Sequence, residues 1–175
     1  MNPQVRGCCD ILKRYTLALA VCDRLREATE HLNDGLAASE PAALVTLAHY
    51  PGQSILTLGR TLGLTHSGAV RLADRLEASG LVRRAPSGRG RTLALSLTQR
   101  GRSAAMKVLA RRQAAVEQLA GMLDPGEVAA LERLAARLLA GITTDRGSAH
   151  RICRLCDEPL CVGEAGCPVD QAAGA

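Results

Sequence analysis

The chain of 175 residues has no Phe, no Trp and only two tyrosines, Tyr15 and Tyr50. Its core must therefore be built from Leu, Ala and Val, and the aromatic platforms on which bases of RNA or single-stranded DNA usually stack are missing. No apolar run of about 20 residues occurs, so no transmembrane helix is expected. The amino terminus, M-N-P-Q-V-R-G-C-C-D, lacks the apolar segment of a signal peptide, which makes the cytoplasm the expected compartment. A phosphate-binding Gly loop followed by Lys and Ser or Thr is also missing. Asp145, Ser148 and His150 are the residue types of a hydrolase triad. So short a segment gives no reason for them to converge with a nucleophile on a strained turn, and no enzyme is expected. Lysine is scarce beside arginine, a bias that suggests a GC-rich bacterial genome.

What is present is arginine, unevenly placed. From Arg60 to Arg112, eleven arginines and Lys107 face only Asp74 and Glu77, a local charge of +10. Residues 1–53 carry −1 and residues 113–175 carry −4, so the overall +5 is one basic patch. Any single arginine of this set reads equally well as a solvated surface charge. The concentration is the footprint expected of phosphate contacts, and it predicts salt-dependent binding. With aromatic stacking excluded, double-stranded DNA is the expected partner.

The patch coincides with a block from Ser54 to about Leu97 that reads as two short helices and then two short strands. In S-I-L-T-L-G-R-T-L-G-L, residues Ile55, Leu58, Leu62 and Leu64 recur at near-helical spacing, and Gly63 supplies the turn that ends the first helix. Thr65 is placed to cap a second helix whose inner face is Ala69, Leu72, Ala73 and Leu76, and Gly80 ends it. Leu81 to Arg84 reads as a strand. After Pro86, S-G-R-G-R forms a turn, and T-L-A-L-S-L alternates as a half-buried return strand. The expected fold is mainly α with a small β-wing, a winged helix-turn-helix. Thr65, His66, Ser67, Arg71 and Arg75 are the candidate DNA-binding residues of the second helix, and Arg89 and Arg91 those of the wing tip. Arginine at such a tip suits a narrow minor groove.

Over roughly residues 10–142 the sequence resembles the MarR-type transcriptional regulators. The resemblance is carried by R-L-x-x-x-G-L-V-x-R from Arg75 to Arg84 and L-T-x-x-G from Leu97 to Gly101. It implies a homodimer on a palindromic operator, and a pocket between dimer helices and DNA-binding lobe that often accepts small aromatic acids, hence a small-molecule effector. The wing of that family usually carries D-x-R. Here Arg89 stands at the Asp position and Arg91 at the usual arginine, so only Arg91 is carried over from the family pattern.

The flanks fit dimerisation. A long helix from Asp10 to about His31 carries an apolar stripe of Ile11, Leu12, Tyr15, Leu19, Cys22 and Leu25. Ser39 reads as the cap of a helix with Pro41 in its first turn. Thr98 reads as the cap of a helix running to about Leu123. Asp124 to Glu127 reads as a capping box, and the last helix is expected to bury Val128, Leu131, Leu134, Ala135 and Leu138. These helices carry more apolar surface than a small winged domain covers, and a two-fold partner would cover it. Some MarR-like proteins sense peroxide through an N-terminal helix cysteine. Here Cys22 reads as a small core residue, and Cys8 and Cys9 as more exposed residues preceding the helix.

Four cysteines close the chain: Cys153, Cys156, Cys161 and Cys167, spaced C-x2-C-x4-C-x5-C. Such a set suits an iron–sulfur cluster, the first reading, or Zn²⁺, the second. Disulfides are the remaining possibility, though rare in a reducing cytosol. The loop is similar to the cluster loop of SoxR-type regulators, although four residues rather than one separate its second and third cysteines. His150 is an alternate ligand, and Arg151 and Arg154 could offset thiolate charge.

The expected organisation is a dimerisation helix in 1–38, the winged helix-turn-helix in 39–98, dimerisation helices in 99–145 and a metal-binding, redox- or metal-sensing tail in 146–175. The expected role is a homodimeric repressor. The alternative is a metal-bearing electron-transfer or partner-docking protein whose winged domain binds protein.

Overall fold

The computed structural model describes residues 3–30, 39–86, 93–157 and 166–174, with the side chains of residues 3–15 and 30 set aside. Their elements, in order, are α1 (Pro3–Glu30), α2 (Glu40–His49), β1 (Gln53–Ser54), α3 (Ile55–Leu62), α4 (His66–Ala78), β2 (Val82–Pro86), β3 (Leu93–Leu97), α5 (Gln99–Ala120), α6 (Pro125–Ile142), α7 (Arg146–Ile152) and α8 (Pro168–Ala173). This is the expected mainly helical fold with a small sheet.

Helix α2 is the centre of the molecule. Its sequence, E-P-A-A-L-V-T-L-A-H, has no polar face, and Glu40 to Leu47 are all buried, as befits a helix apolar all round. One side, Ala43, Leu44 and Leu47, meets Leu58, Leu72, Leu76, Leu95 and Leu97. The other, Val45, meets Val108 and Leu109 of α5, where Leu155 of the tail also packs. Each leucine taken wholly out of water here stabilises the fold by roughly 1.5–3 kcal/mol.

The sheet has three strands in the order β1-β3-β2, all antiparallel. Val82 pairs with Leu97 and Pro86 with Leu93. Proline is admissible at Pro86 because β2 is an edge strand. The short β1 was not expected: two residues show no alternation to read. Strand β2 also begins one residue later than expected and ends two residues later. Leu81 instead spans the turn, buried, with its N–H bonded to Leu76 O at 2.9 Å.

Several expectations need correction. Helix α1 starts at Pro3, so Cys8 and Cys9 lie within it rather than before it. Cys22 is exposed, not core, and Leu19 is 65% exposed. Ser39 sits at the start of α2 but in a right-handed helical conformation, and its side chain makes no capping hydrogen bond. Thr98 does cap α5, accepting from Gly101 N, and that helix ends at Ala120. The capping box at Asp124 and Glu127 forms as read. Yet no residue of α6 is buried: Leu131, Leu134 and Leu138 are 54%, 55% and 69% exposed, and Val128 and Ala135 half-buried. Among the described residues, Leu131, Leu134 and Leu138 are left uncovered. The described part of the tail carries the short helices α7 and α8, which its sequence did not announce.

Candidate nucleic-acid interface

Helices α3 and α4 make the helix-turn-helix. Ser54 caps α3 by accepting from Thr57 N at 3.1 Å. The helix stops at Gly63, whose φ of 66° is the left-handed conformation glycine takes without strain. Two hydrogen bonds close the end, Gly63 N to Arg60 O and Leu64 N to Gly59 O, the pattern that satisfies a helix's last carbonyls. Thr65 then caps α4, its Oγ1 accepting from Gly68 N at 3.2 Å. The two helices cross tightly, since a Cβ on Gly59 would lie 2.8 Å from that of Ala69.

The inner face of α4 is the one expected: Ala69, Leu72, Ala73 and Leu76 are each fully buried. The opposite face therefore projects from a rigid support. Thr65, His66, Ser67 and Arg71 are all exposed there. Three of the four also bond within the chain, the Ser67 hydroxyl lying 3.3 Å from that of Thr65. Thr65 serves as the cap, and Arg71 donates from Nε to Ser67 O at 3.3 Å, lying back along its own helix with its guanidinium exposed.

Arg75 departs from the candidate set. Its Nε donates to Oε1 of Glu40 at 2.9 Å, and the Glu40 side chain is only 7% exposed. Arg75 thereby joins α4 to α2, and no feature of its position requires contact with DNA. Other basic residues of the patch are similarly engaged. Arg84 of β2 bonds Asp74 Oδ1 at 2.5 Å and lies 3.5 Å from Glu77 Oε2, both on α4. Arg100 and Arg102 donate to the backbone oxygens of Ser79 and Leu97. Both acids of the region thus pair with Arg84, and Arg60, Arg71 and Arg83 are exposed, as are Arg100, Arg102, Lys107 and Arg111. Arg60 and Arg83 were counted in the patch but not singled out. The signal for Arg83 was its place in β2, beside inward Val82. Arg89 and Arg91 lie outside the described residues.

The tail forms a second site. Cys153 follows α7, Cys167 precedes α8, and the two line one cavity of about 580 Å³ with Cys156, His49, Tyr50 and His150. No disulfide joins the three cysteines to one another. Cys161 lies outside the described residues. Among the described residues, no three His, Cys, Asp or Glu side chains stand close enough together to hold a metal. The loop is tied to the DNA-binding lobe: His49 Nε2 lies 3.0 Å from Cys156 O, and the Tyr50 and His150 rings are 5.9 Å apart. Half-buried Arg112 faces this loop. Burial lowers its basicity, the nearby Cys156 opposes that, and Arg154 adds to it.

The triad residue types do not form a triad. Asp145 caps α7 by accepting from Ser148 N, and the Ser148 hydroxyl accepts from Asp145 N at 3.0 Å. The backbone bond from Ser148 holds the exposed Asp145 carboxyl below its ordinary range.

Residues 34–91 match the model of the MarR family. Among curated proteins, no sequence matches the chain. A MarR family protein from Bacillus stearothermophilus has 23% identity and a TM-score of 0.67, over 82% of this chain and 99% of its own. A MarR family transcriptional regulator from Silicibacter pomeroyi has 27% identity and a TM-score of 0.57, over 72% and 87%. A MarR family protein from Mycobacterium tuberculosis, solved in complex with salicylic acid, has 28% identity and a TM-score of 0.55, over 71% and 91%. The α3–α4 unit, the small sheet and these matches together identify residues 34–91 as a MarR-family winged helix-turn-helix, in a chain with the fold of MarR-type transcription regulators.

Proposed function

We propose that the chain is a repressor that binds a palindromic operator in duplex DNA as a homodimer, in the cytoplasm. One observation carries the reading: α4 presents Thr65, His66, Ser67 and Arg71 to solvent while its opposite face is wholly buried. That geometry lets a helix enter the major groove without unpacking. Dimerisation is supported by α6, where Leu131, Leu134, Leu138 and Ile142 are all more than half exposed and recur at a spacing that places them on one face. Leu17 and Leu19 of α1, each 65% exposed, extend the uncovered apolar surface. A two-fold partner would cover both and set two α4 helices about one DNA turn apart. The salicylic acid complex of the Mycobacterium tuberculosis protein supports small aromatic acids as the first effectors to try.

The test is fluorescence anisotropy on labelled duplexes selected from a random pool, across a salt series. Arg71→Ala is expected to weaken binding by about 1–3 kcal/mol. Equal binding by both proteins, with no dependence on salt, would sink the reading.

A further inference from the structure

Cys153 and Cys156 stand at the two ends of one turn, closed by a hydrogen bond from Cys156 N to Cys153 O at 2.8 Å. A four-residue turn brings its first and fourth Cα atoms to less than about 7 Å, and a disulfide spans roughly 4.4–6.8 Å, so this pair can be bridged with little backbone movement. Both cysteines are half-buried on the wall of the tail cavity. Cys156 also lines a groove with Arg112, near enough for the two charges to act on one another. A guanidinium beside a thiol favours the thiolate, which is the form that reacts. The turn itself is anchored. Leu155 packs on Val45, Val108 and Leu109, and His49 Nε2 lies 3.0 Å from Cys156 O.

We infer that Cys153 and Cys156 form a reversible oxidation site, a dithiol that a hydroperoxide converts to a disulfide. A metal needs three or four such groups to converge, which the described side chains do not do, whereas a disulfide needs two. Cys167 lines the same cavity but stands on a separate element, at the head of α8. The Cys156 thiolate attacks one peroxide oxygen, the O–O bond breaks, and the leaving oxygen takes up a proton as water or an alcohol. Cys156 is then a sulfenic acid. The Cys153 sulfur attacks that sulfenic sulfur, the S–S bond forms, and the hydroxyl leaves as water with the Cys153 proton. The two thiols have lost two electrons to one peroxide, and a thiol reductant reverses the change by exchange. Because Leu155 and His49 already hold the turn, the bridge forms without refolding and fixes the end of α7 to the segment docked on α2 and α5. The site goes beyond DNA binding, and its test uses no DNA, so either reading can fail alone.

Full-length protein, reduced and treated with a chelator, is exposed to hydrogen peroxide, its remaining thiols are alkylated, and its peptides are mapped by mass spectrometry. Cleavage after Arg154 and before Asp157 leaves Cys153 and Cys156 on separate peptides, and Cys161 and Cys167 together on a third. The peptides of Cys153 and Cys156 are expected to appear linked, and dithiothreitol should separate them. Cys153→Ser should stop at the sulfenic acid on Cys156, captured there by dimedone. Circular dichroism checks the fold of that variant, and the wild-type map decides the question without it. A bridge from Cys156 to the peptide of Cys161 and Cys167 overturns the inference. So does a Cys153 and Cys156 pair that is still fully alkylated after the exposed Cys22 has been oxidised.

Discussion

Arg75 and Glu40, 35 residues apart in sequence, meet at 2.9 Å and fasten the recognition helix to the central helix. Glu40 is nearly buried while half of Arg75 stays in water, so the pair secures the angle of α4 more than it adds to stability.

This separates two neighbouring arginines. Arg75→Ala should lower unfolding free energy by about 1–2 kcal/mol, because it removes a charged hydrogen bond to the nearly buried Glu40 carboxylate. Arg71→Ala should change stability by no more than about 0.5 kcal/mol. Urea denaturation of both variants decides it; a destabilised Arg71→Ala with an unchanged Arg75→Ala would reverse the assignment.

Gly101 is where α5 passes over the turn between α4 and β2. A Cβ there would lie 2.0 Å from Leu81 O, a backbone atom without room to retreat. Gly101→Ala should therefore cost about 3 kcal/mol or more in spite of alanine's better helix propensity. The same urea experiment checks it, and a neutral or stabilised variant would contradict the packing described.

How much of this was legible in the sequence depended on the range of the signal. Leucine spacing, the glycines at the ends of α3 and α4, and the caps Thr65 and Thr98 act over a few residues, and all were readable. The Arg75–Glu40 pair was not, since nothing in R-L-A-D-R-L-E points back to Glu40. For α6 the periodicity pointed to a buried face, whereas Leu131, Leu134 and Leu138 are exposed: periodicity states which face is apolar and not what covers it. Ser39 had the right side chain for a cap and the wrong backbone conformation. The helices of the tail were too short to show a stripe, and nothing near the cysteines pointed to His49, which shares their cavity with His150.

The exposed stripe on α6 predicts its own disruption. Leu134→Glu or Leu138→Glu should turn a dimer into a monomer without unfolding the winged domain, because neither side chain packs in its core. Light scattering coupled to gel filtration reads the mass. A monomeric wild type, or a variant that stays dimeric, would remove α6 from the interface.

Asp145 predicts an acid response in the tail. Its carboxyl is held below the ordinary range chiefly by the Ser148 N–H, so its contribution is complete above the unfolded-state value and fades as pH falls through the lower folded-state value. The protection factor of the Ser148 amide should fall on acidification in the wild type and be low throughout in Asp145→Ala. An exchange rate at Ser148 that is the same in both proteins would show that the cap does not hold the start of α7.

The most direct test of the account is selection of duplexes from a random pool by the purified protein, followed by binding curves for wild type and Arg71→Ala over a salt series. Enriched sites with two related half-sites about one helical turn apart are expected, with affinity that falls steeply with salt and a loss of roughly fivefold or more in Arg71→Ala. No enrichment, or an Arg71→Ala curve that overlays the wild type, would contradict it.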